Sequence, residues 1–306
     1  MNSPRFVNTG NFMRMDRKDS AQGLDFAIYG IPFDTAASYR TGARFGPQAI
    51  RNISVMMKTN HPIYQGDLKD HIKGGDLGDV NVTPGYILPT YEAIEHFTKK
   101  ILDHDAIPIG LGGDHSVTLP QLRAIAKKHG PVSLVQFDAH ADVNDESFGQ
   151  KYTHGTPFKR AIDEGLIDPH RSVQIGLRGS LYDKNKFKIT KELGFKTIPI
   201  HELMEMGIPK VIEKVKEYVG DNKAFLTFDI DFFDPAYAPG TGTPEVGGNT
   251  SYEGLTLLRG LQNINFVGMD VVEVAPPYDS SEITSLLAAT VVFEFMNLLA
   301  FGKIDK

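Results

Sequence analysis

Short apolar segments alternate with segments of helical periodicity along this chain. Seven segments are almost continuously hydrophobic, a pattern typical of strands that are buried on both faces. They cover residues 25–34, 106–114, 132–142, 172–178, 195–200, 224–231 and 264–274. Helical spacing of apolar residues is found at 46–58, 91–103, 119–129, 209–219, 251–262 and 282–299. This alternation predicts an α/β fold in which a mainly parallel sheet has helices on both faces.

The chain has no stretch with the composition of a linker between domains. Residues 235–248 are rich in Gly and Pro, but they directly follow a predicted strand, so we interpret them as an ordered loop. A length of 306 residues is compatible with one α/β domain that contains a single large sheet. We therefore predict one domain over residues 1–306, with its ligand beyond the carboxyl ends of the strands.

Composition and charge restrict the class of partner. Hydrophobic residues make up 41% of the chain and charged residues 23%, as in ordinary globular proteins. The formal net charge of -6 gives no electrostatic reason to expect nucleic acid or an anionic membrane, so we expect a small-molecule ligand. Residues 1–19 lack the apolar stretch of a secretory signal, and no apolar run approaches the roughly 18 residues of a membrane span. We therefore expect a cytoplasmic protein.

Three predicted strands end in clusters of acidic residues and histidines. Because the carboxyl ends of parallel strands meet at one edge of a sheet, these clusters are expected to converge there. Within an extended segment, residues i, i+2 and i+4 share one face, which favours convergence inside each cluster as well. The candidate metal ligands are His115, Asp138, His140, Asp142, Asp229 and Asp231.

This set of side chains indicates two metal ions rather than one. Four carboxylates around one buried ion would repel each other and take up protons, whereas two divalent cations would balance their charge. The chain has no cysteine, so the ligands must be oxygen and imidazole, which suits manganese better than zinc and leaves cobalt, nickel and iron open. Each cluster taken alone is also compatible with a helix cap or a strand end in solvent.

Several motifs of the chain resemble those of the ureohydrolases, in particular of their agmatinase branch. They are GGDHS at 112–116, DAHAD at 138–142, THG at 153–155, DIDFFDPAYAPGTGTPEVGG at 229–248 and VVEVAPPYD at 271–279. The similarity extends from YRTGARFGPQAIR at 39–51 to SEITSLLAAT at 281–290. The resemblance implies a three-layer α/β/α fold with an eight-stranded, mainly parallel sheet, and a homo-oligomer that is a trimer or a hexamer.

The resemblance also implies roles for single residues. By similarity, one manganese ion is held by His115, Asp138, Asp142 and Asp229, and the other by His140, Asp138, Asp229 and Asp231. Two such ions about 3.5–4 Å apart lower the pKa of a bridging water, so that hydroxide can attack a guanidinium carbon and urea is released.

Four residues are implied to act on the substrate. By similarity, Glu273 binds the guanidinium group, Asp142 passes a proton to the leaving amine, His154 shuttles protons and Asn144 contacts the tail of the substrate. Two of them have a structural alternative where they stand alone: His154 as a loop histidine bonded to backbone, and Glu273 as a buried ion-pair partner.

The tail of the substrate is left open by these motifs. Asp145 and Glu146 would favour the ammonium group of agmatine, whereas Lys151 would favour a carboxylate such as that of 4-guanidinobutanoate or 3-guanidinopropanoate. We favour agmatine, which would place the protein in polyamine biosynthesis. Two other hypotheses are an elimination reaction on another small cationic substrate and a metal-binding scaffold without catalysis. The presence of His154 and Glu273 beside six intact ligands argues against a scaffold.

Overall fold

The computed structural model describes residues 4–7, 10–181 and 183–302, and a sheet of eight parallel strands lies at its centre. In chain order the strands are β1 (Phe26–Gly30), β2 (Asn60–His61), β3 (Gly66–Asp67), β4 (Gly74–Asp79), β5 (Ile107–Leu111), β6 (Ser133–Phe137), β7 (Val173–Ile175), β8 (Lys196–Ile198), β9 (Lys223–Asp229) and β10 (Asn265–Val272). Strands β2 and β3 form a separate antiparallel pair. The other eight form the sheet in the order β4, β1, β5, β10, β9, β6, β7, β8.

Helices cover both faces of the sheet. They are α1 (Gly46–Ser54), α2 (Ile87–Leu102), α3 (Thr118–His129), α4 (Pro157–Asp163), α5 (Lys186–Glu192), α6 (Ile200–Met206), α7 (Ile208–Val219), α8 (Ser251–Gly260) and α9 (Ile283–Phe301). Helices α1, α7, α8 and α9 share one hydrophobic core with the sheet, and α2, α3 and α4 pack on the opposite side. Because side chains alternate along a strand, Leu226 and Phe228 of β9 lie in the first core and Phe225 lies in the second.

The seven strands and six helices predicted from the hydrophobic pattern are confirmed, whereas β4, the two-residue strands β2 and β3, and three short helices were missed. The sequence of β4, GGDLGD, has no hydrophobic run, because Gly74 packs under the Phe26 ring and Asp76 pairs with Arg51. A Cβ atom on Gly74 would lie only 1.9 Å from that ring, so the strand needs glycine at this position. Helices α4, α5 and α6 have seven residues each, too few to show a clear helical period.

Helix α9 is apolar on all sides. Among the described residues it is the one helix long and apolar enough to cross a membrane, with a mean hydropathy of 1.8, so the expectation that no apolar run approaches this length is wrong for this segment. In the structure 72% of its apolar window is buried, and the helix packs against α1, α8 and β10. This burial is typical of a core helix in a globular protein.

Candidate metal centre

The six predicted metal ligands lie together at the carboxyl ends of β5, β6 and β9. His115 begins a short 3-10 turn between β5 and α3, and the side chain of Asp114 caps this turn by accepting the Ser116 N–H at 3.0 Å. Asp138 directly follows β6, and Asp229 is the last residue of β9. The sheet order places β10 between β5 and β9, so the carboxyl end of β10 opens into the same region.

The first group of ligands surrounds the imidazole of His115. Its Nδ1 atom lies 3.1 Å from Asp138 Oδ2, 3.0 Å from Asp142 Oδ2 and 3.2 Å from Asp229 Oδ2. The other ring nitrogen, Nε2, lies 2.8 Å from the hydroxyl oxygen of Thr227 on β9. With the proton on Nε2 donated to Thr227, the lone pair of Nδ1 points at the three carboxylates, which is the orientation that a metal ligand needs.

The second group lies next to the first and shares a residue with it. His140 Nδ1 is 3.0 Å from Asp231 Oδ2 and 3.6 Å from Asp138 Oδ1. Asp138 therefore offers one oxygen to each group. The ligand atoms of His115, Asp138 and Asp229 lie within 4.8 Å of one another, and so do those of Asp138, His140 and Asp231. Asp229 belongs to the first group, and its bridging role stays a prediction.

Hydrogen bonds from neighbouring amide N–H groups hold three of the carboxylates in place. Asp138 Oδ2 accepts a hydrogen bond from Gln136 Nε2 at 2.7 Å, and Asp229 Oδ1 accepts the Asp231 N–H at 2.9 Å. Asp231 Oδ1 accepts the Ala139 N–H at 3.1 Å. These bonds fix the side chains so that Asp229 Oδ2 and Asp231 Oδ2 face the imidazoles.

Two buried atoms of this cluster have no hydrogen-bond partner and could each bind a cation. His115 Nδ1 and Asp231 Oδ2 are buried and make no hydrogen bond. A buried polar atom without a partner costs about 1–3 kcal/mol, and a bound divalent cation would remove that cost. One such atom lies in each group, and all the donors are imidazole nitrogens or carboxylate oxygens. The side chains therefore fit two divalent metal ions.

The proton affinities of the cluster reflect the same crowding of charge. Burial raises the pKa of Asp229 well above its ordinary value, and the carboxylates of Asp231 and Asp138 raise it further. Burial alone would lower the pKa of His115, but Asp138 and the other neighbouring carboxylates overcome this and raise it well above the ordinary value. The buried carboxylates thus require compensating positive charge, as protons or as metal ions.

Glu273 and His154 form a hydrogen-bonded pair beside the cluster. Glu273 Oε1 accepts the backbone N–H of His115 at 2.9 Å and lies 3.0 Å from His154 Nδ1. Burial lowers the pKa of His154, but the bond to Glu273 together with the negative charges of Glu273, Asp142 and Asp114 outweighs it and raises this pKa to about 9. Glu273 has φ +64° and Asp142 has φ +50°, a region that costs a non-glycine residue about 1–3 kcal/mol and is concentrated at functional sites.

A loop that the sequence analysis did not single out closes over His154. Residues 31–45, here called the β1–α1 loop, bring the Ser38 N–H to 3.0 Å and the Ser38 hydroxyl oxygen to 2.7 Å from His154 Nε2. Asp34 anchors this loop, since it accepts the Gly42 N–H at 2.7 Å and pairs with Arg44. The sequence gives no signal for this contact, because Ser38 and His154 are 116 residues apart.

Arg178 is a second residue that the sequence analysis missed. It follows β7, and its guanidinium group donates to the carbonyl oxygens of Asp231 at 2.6 Å, Phe233 at 3.1 Å and Glu245 at 2.8 Å. These bonds hold the turn that carries Asp231. A charged residue at the end of the predicted strand segment 172–178, at the carboxyl edge, is the signal that could have identified it.

Residues 144–151 contain the side chains that were predicted to contact or attract the substrate tail. Asn144 is exposed, and its backbone N–H donates to the Gly155 carbonyl at 3.0 Å. Asp145 forms an ion pair with Arg160 of α4 and lies 3.9 Å from Lys159, while its side chain remains 75% exposed. Its preference for an ammonium group stays a prediction. Glu146 and Lys151 are exposed.

Comparison with known proteins identifies the family. The sequence profile of the Arginase family matches residues 24–297, so the chain belongs to the arginase family, and the resemblance to ureohydrolases is confirmed. This family is metal-dependent, in agreement with the donor set of the cluster.

Three relatives show how similar the chain is to characterised members. It is 43% identical over 298 residues to guanidinopropionase of Pseudomonas aeruginosa, covering 97% of this chain and 93% of the relative. It is 45% identical over 295 residues to the mitochondrial agmatinase of Gallus gallus, covering 96% and 87%. The structure of proclavaminate amidino hydrolase from Streptomyces clavuligerus matches with a TM-score of 0.94 and 39% identity, covering 98% and 99%. These relatives are named for different substrates, so the family alone does not identify the substrate of this chain.

Proposed function

We propose that the protein is a binuclear manganese amidinohydrolase that cleaves a small linear guanidino compound into urea and an amine. The observation that carries the proposal is the pair of donor groups that share Asp138 and lie beside the bonded pair of Glu273 and His154. Membership of the arginase family and the names of the relatives support the same reaction.

The proposed metal ligands are those of the two groups. One ion would be held by His115, Asp138, Asp142 and Asp229, and the other by His140, Asp138, Asp229 and Asp231. When bound, two divalent cations supply the Lewis acidity that makes water nucleophilic near neutral pH. We propose manganese because carboxylate oxygens outnumber imidazoles in the set, with nickel and cobalt as the metals to compare.

Glu273 is the proposed binding residue for the guanidinium group. Its Oε1 is occupied by the His115 N–H and by His154, which leaves Oε2 for the substrate. Gly242 lies beside this oxygen, and a Cβ there would be 3.5 Å from it. Since Glu273 is 2% exposed, a hydrogen bond from a guanidinium N–H to its carboxylate would be charge-assisted and little screened by water.

Asp142 and His154 are the proposed proton carriers. Asp142 is a ligand of the first group whose side chain is 12% exposed, so it can take the proton that the attacking oxygen loses and pass it to the leaving nitrogen. His154, with its pKa raised to about 9, holds a proton at neutral pH and can supply the second proton that makes the departing amine an ammonium ion.

Agmatine is the first proposed substrate, and a guanidino acid is the second because two observations favour it. Asp145 pairs with Arg160, so an ammonium tail would have to compete with this ion pair. Arg40 lies in the β1–α1 loop, and the central carbon of its guanidinium group is 5.4 Å from the centre of the Tyr39 ring and 4.9 Å from that of Tyr278. Within the described residues Arg40 has no ion-pair partner. An unpaired guanidinium group near the site would attract a carboxylate tail.

The other expectations from the sequence remain proposals. We propose a single domain over residues 1–306, a cytoplasmic location, a trimer or hexamer, and Asn144 as a contact to the substrate tail. Elimination on another small cation is not needed to account for the site, and none of the three relatives above is named for it.

Urea release is the direct test of the proposal. The purified protein would be loaded with manganese and assayed with agmatine, 4-guanidinobutanoate, 3-guanidinopropanoate, guanidine and arginine, while elemental analysis counts the ions per chain. For wild type we expect two ions per chain and urea from at least one compound. In Asp138→Ala we expect the second metal site to stay empty and no urea to be released. Lys214→Ala, a change on α7, is the control and should behave as wild type. Absence of urea with manganese, nickel and cobalt would refute the proposed reaction.

A further inference from the structure

Ser38 presents two hydrogen-bonding groups to the same nitrogen of His154. Its backbone N–H lies 3.0 Å and its hydroxyl oxygen 2.7 Å from His154 Nε2. The opposite ring nitrogen, Nδ1, is hydrogen-bonded to Glu273. The backbone N–H of His154 donates to the Ala36 carbonyl at 3.2 Å. The imidazole is therefore held at both nitrogens. The His154 side chain is only 14% exposed, whereas Ser38 is exposed to solvent.

The two groups of Ser38 suit different protonation states of the imidazole. A backbone N–H can only donate, so it pairs with Nε2 when this nitrogen carries no proton. A serine hydroxyl can also accept, so it pairs with Nε2–H of the imidazolium ion. The charged groups around the ring are Glu273, Asp142 and Asp114, all acidic, and they favour the imidazolium form. Ser38 thus offers a partner in either state without rotation of the ring.

We propose that Ser38 is a positioning residue that holds His154 in one orientation in both protonation states, and that its hydroxyl group carries protons between Nε2 and solvent. The Ser38 hydroxyl gives its proton to Nε2 and regains one from solvent, and the imidazolium then gives one proton to the departing amine. Solvent has already received one proton when the attacking water ionises, so the overall reaction leaves the proton count unchanged. This inference rests on the proposed hydrolase function.

The test compares Ser38→Ala, which removes the hydroxyl and keeps the N–H, with Ser38→Thr, which keeps both. We expect Ser38→Ala to lower kcat about tenfold in dilute buffer, a part of the effect typical of general acid–base catalysis. KM should change less than about twofold, because Ser38 does not contact Glu273 or the metal ligands. Imidazole or another small buffer at high concentration should restore most of the lost rate, and Ser38→Thr should retain it.

Thr41→Val is the matched control, since Thr41 is an exposed hydroxyl residue of the same loop without a contact to His154. It should match wild type at every buffer concentration. A Ser38→Ala protein with wild-type kcat in dilute buffer, or a loss that no buffer restores, would overturn the proposal.

NMR spectroscopy of metal-free protein requires no catalytic activity, so it tests the role of Ser38 separately from the proposed function. In metal-free protein labelled with ¹⁵N-histidine, the His154 signals are assigned by their absence in His154→Asn. Ser38→Ala should shift the Nε2 resonance of His154 and leave Nδ1 nearly unchanged. If wild type releases no urea, the hydrolase proposal fails whatever these spectra show. If urea is released but the Nε2 signal ignores Ser38, the role of Ser38 is refuted alone.

Discussion

Replacing Thr227 by valine should weaken metal binding without unfolding the protein. The Thr227 hydroxyl oxygen lies 2.8 Å from His115 Nε2 and accepts the Nε2–H when this nitrogen is protonated, and both residues are fully buried. Valine has nearly the same shape but cannot accept this hydrogen bond. With a cation on Nδ1 the proton must stay on Nε2, which would then be a buried donor without a partner.

The loss of metal affinity in Thr227→Val depends on how much the missing hydrogen bond costs in metal-bound protein compared with metal-free protein. In metal-free protein the ring can give up its Nε2 proton and keep the one on Nδ1, which faces Asp138, Asp142 and Asp229, so less is lost. In the metal-bound protein an unsatisfied buried donor costs about 1–3 kcal/mol. The difference appears in the metal affinity and corresponds to a reduction of roughly 5- to 150-fold. This range includes the 10- to 100-fold typically found when an outer hydrogen bond to a metal-bound histidine is removed.

Competition with a chelator of known affinity measures this reduction. Thr98→Val is the matched control, because Thr98 is also fully buried and its hydroxyl contacts Tyr29 at 2.9 Å, away from the metal ligands. We expect Thr227→Val to lose affinity, Thr227→Ser to retain most of it, and Thr98→Val to bind like wild type. If Thr227→Val binds manganese within about twofold of wild type, the assignment of the Nε2 proton in His115 is wrong.

Three further predictions concern other parts of the site. Arg40→Gln should lower kcat/KM for 4-guanidinobutanoate about tenfold and leave agmatine nearly unchanged, as one lost charged hydrogen bond implies; an equal loss for both would contradict a tail contact. Since the pKa of His154 is raised to about 9, its stabilisation is present below its ordinary pKa of about 6.5 and lost as pH rises through about 9. The difference in unfolding free energy between metal-free wild type and His154→Asn should therefore shrink from about pH 6 to about pH 10, and a constant difference would be inconsistent with the raised pKa. Arg178→Ala should lower the melting temperature and the affinity of the second metal ion, because the carbonyl oxygens of the turn at Asp231 lose their donors; unchanged values in calorimetry and metal titration would disprove this role.

The sequence was informative where function depends on strand ends and uninformative where it depends on loops. The convergence of His115, Asp138 and Asp229 could be predicted because parallel strands bring their carboxyl ends to one edge. Thr227 could have been found by the same reasoning, since it lies two residues before Asp229 and on the same face of β9. Ser38 could not, because no pattern in the sequence states which loop folds over His154.

The ion pair of Asp145 could not be predicted from the sequence. Helix α4 has only seven residues and was not predicted, so the position of Arg160 on it was unknown. Once α4 forms, its Arg160 and Lys159 face the preceding loop and attract Asp145. The sequence therefore indicated an acidic group in this loop, but not the basic residues that pair with it.

The position of β10 in the sheet has a consequence for synthesis of the chain. Strands β4, β1 and β5 form one side of the sheet, β9, β6, β7 and β8 form the other, and β10 alone joins them. A nascent chain that ends before residue 265 therefore carries two open strand edges, on β5 and β9, which can pair with other chains. His115 lies on the first side, and the remaining ligands lie on the second. Strand β10, which follows all the other strands of the described residues, both closes these edges and brings the first histidine to the other five ligands.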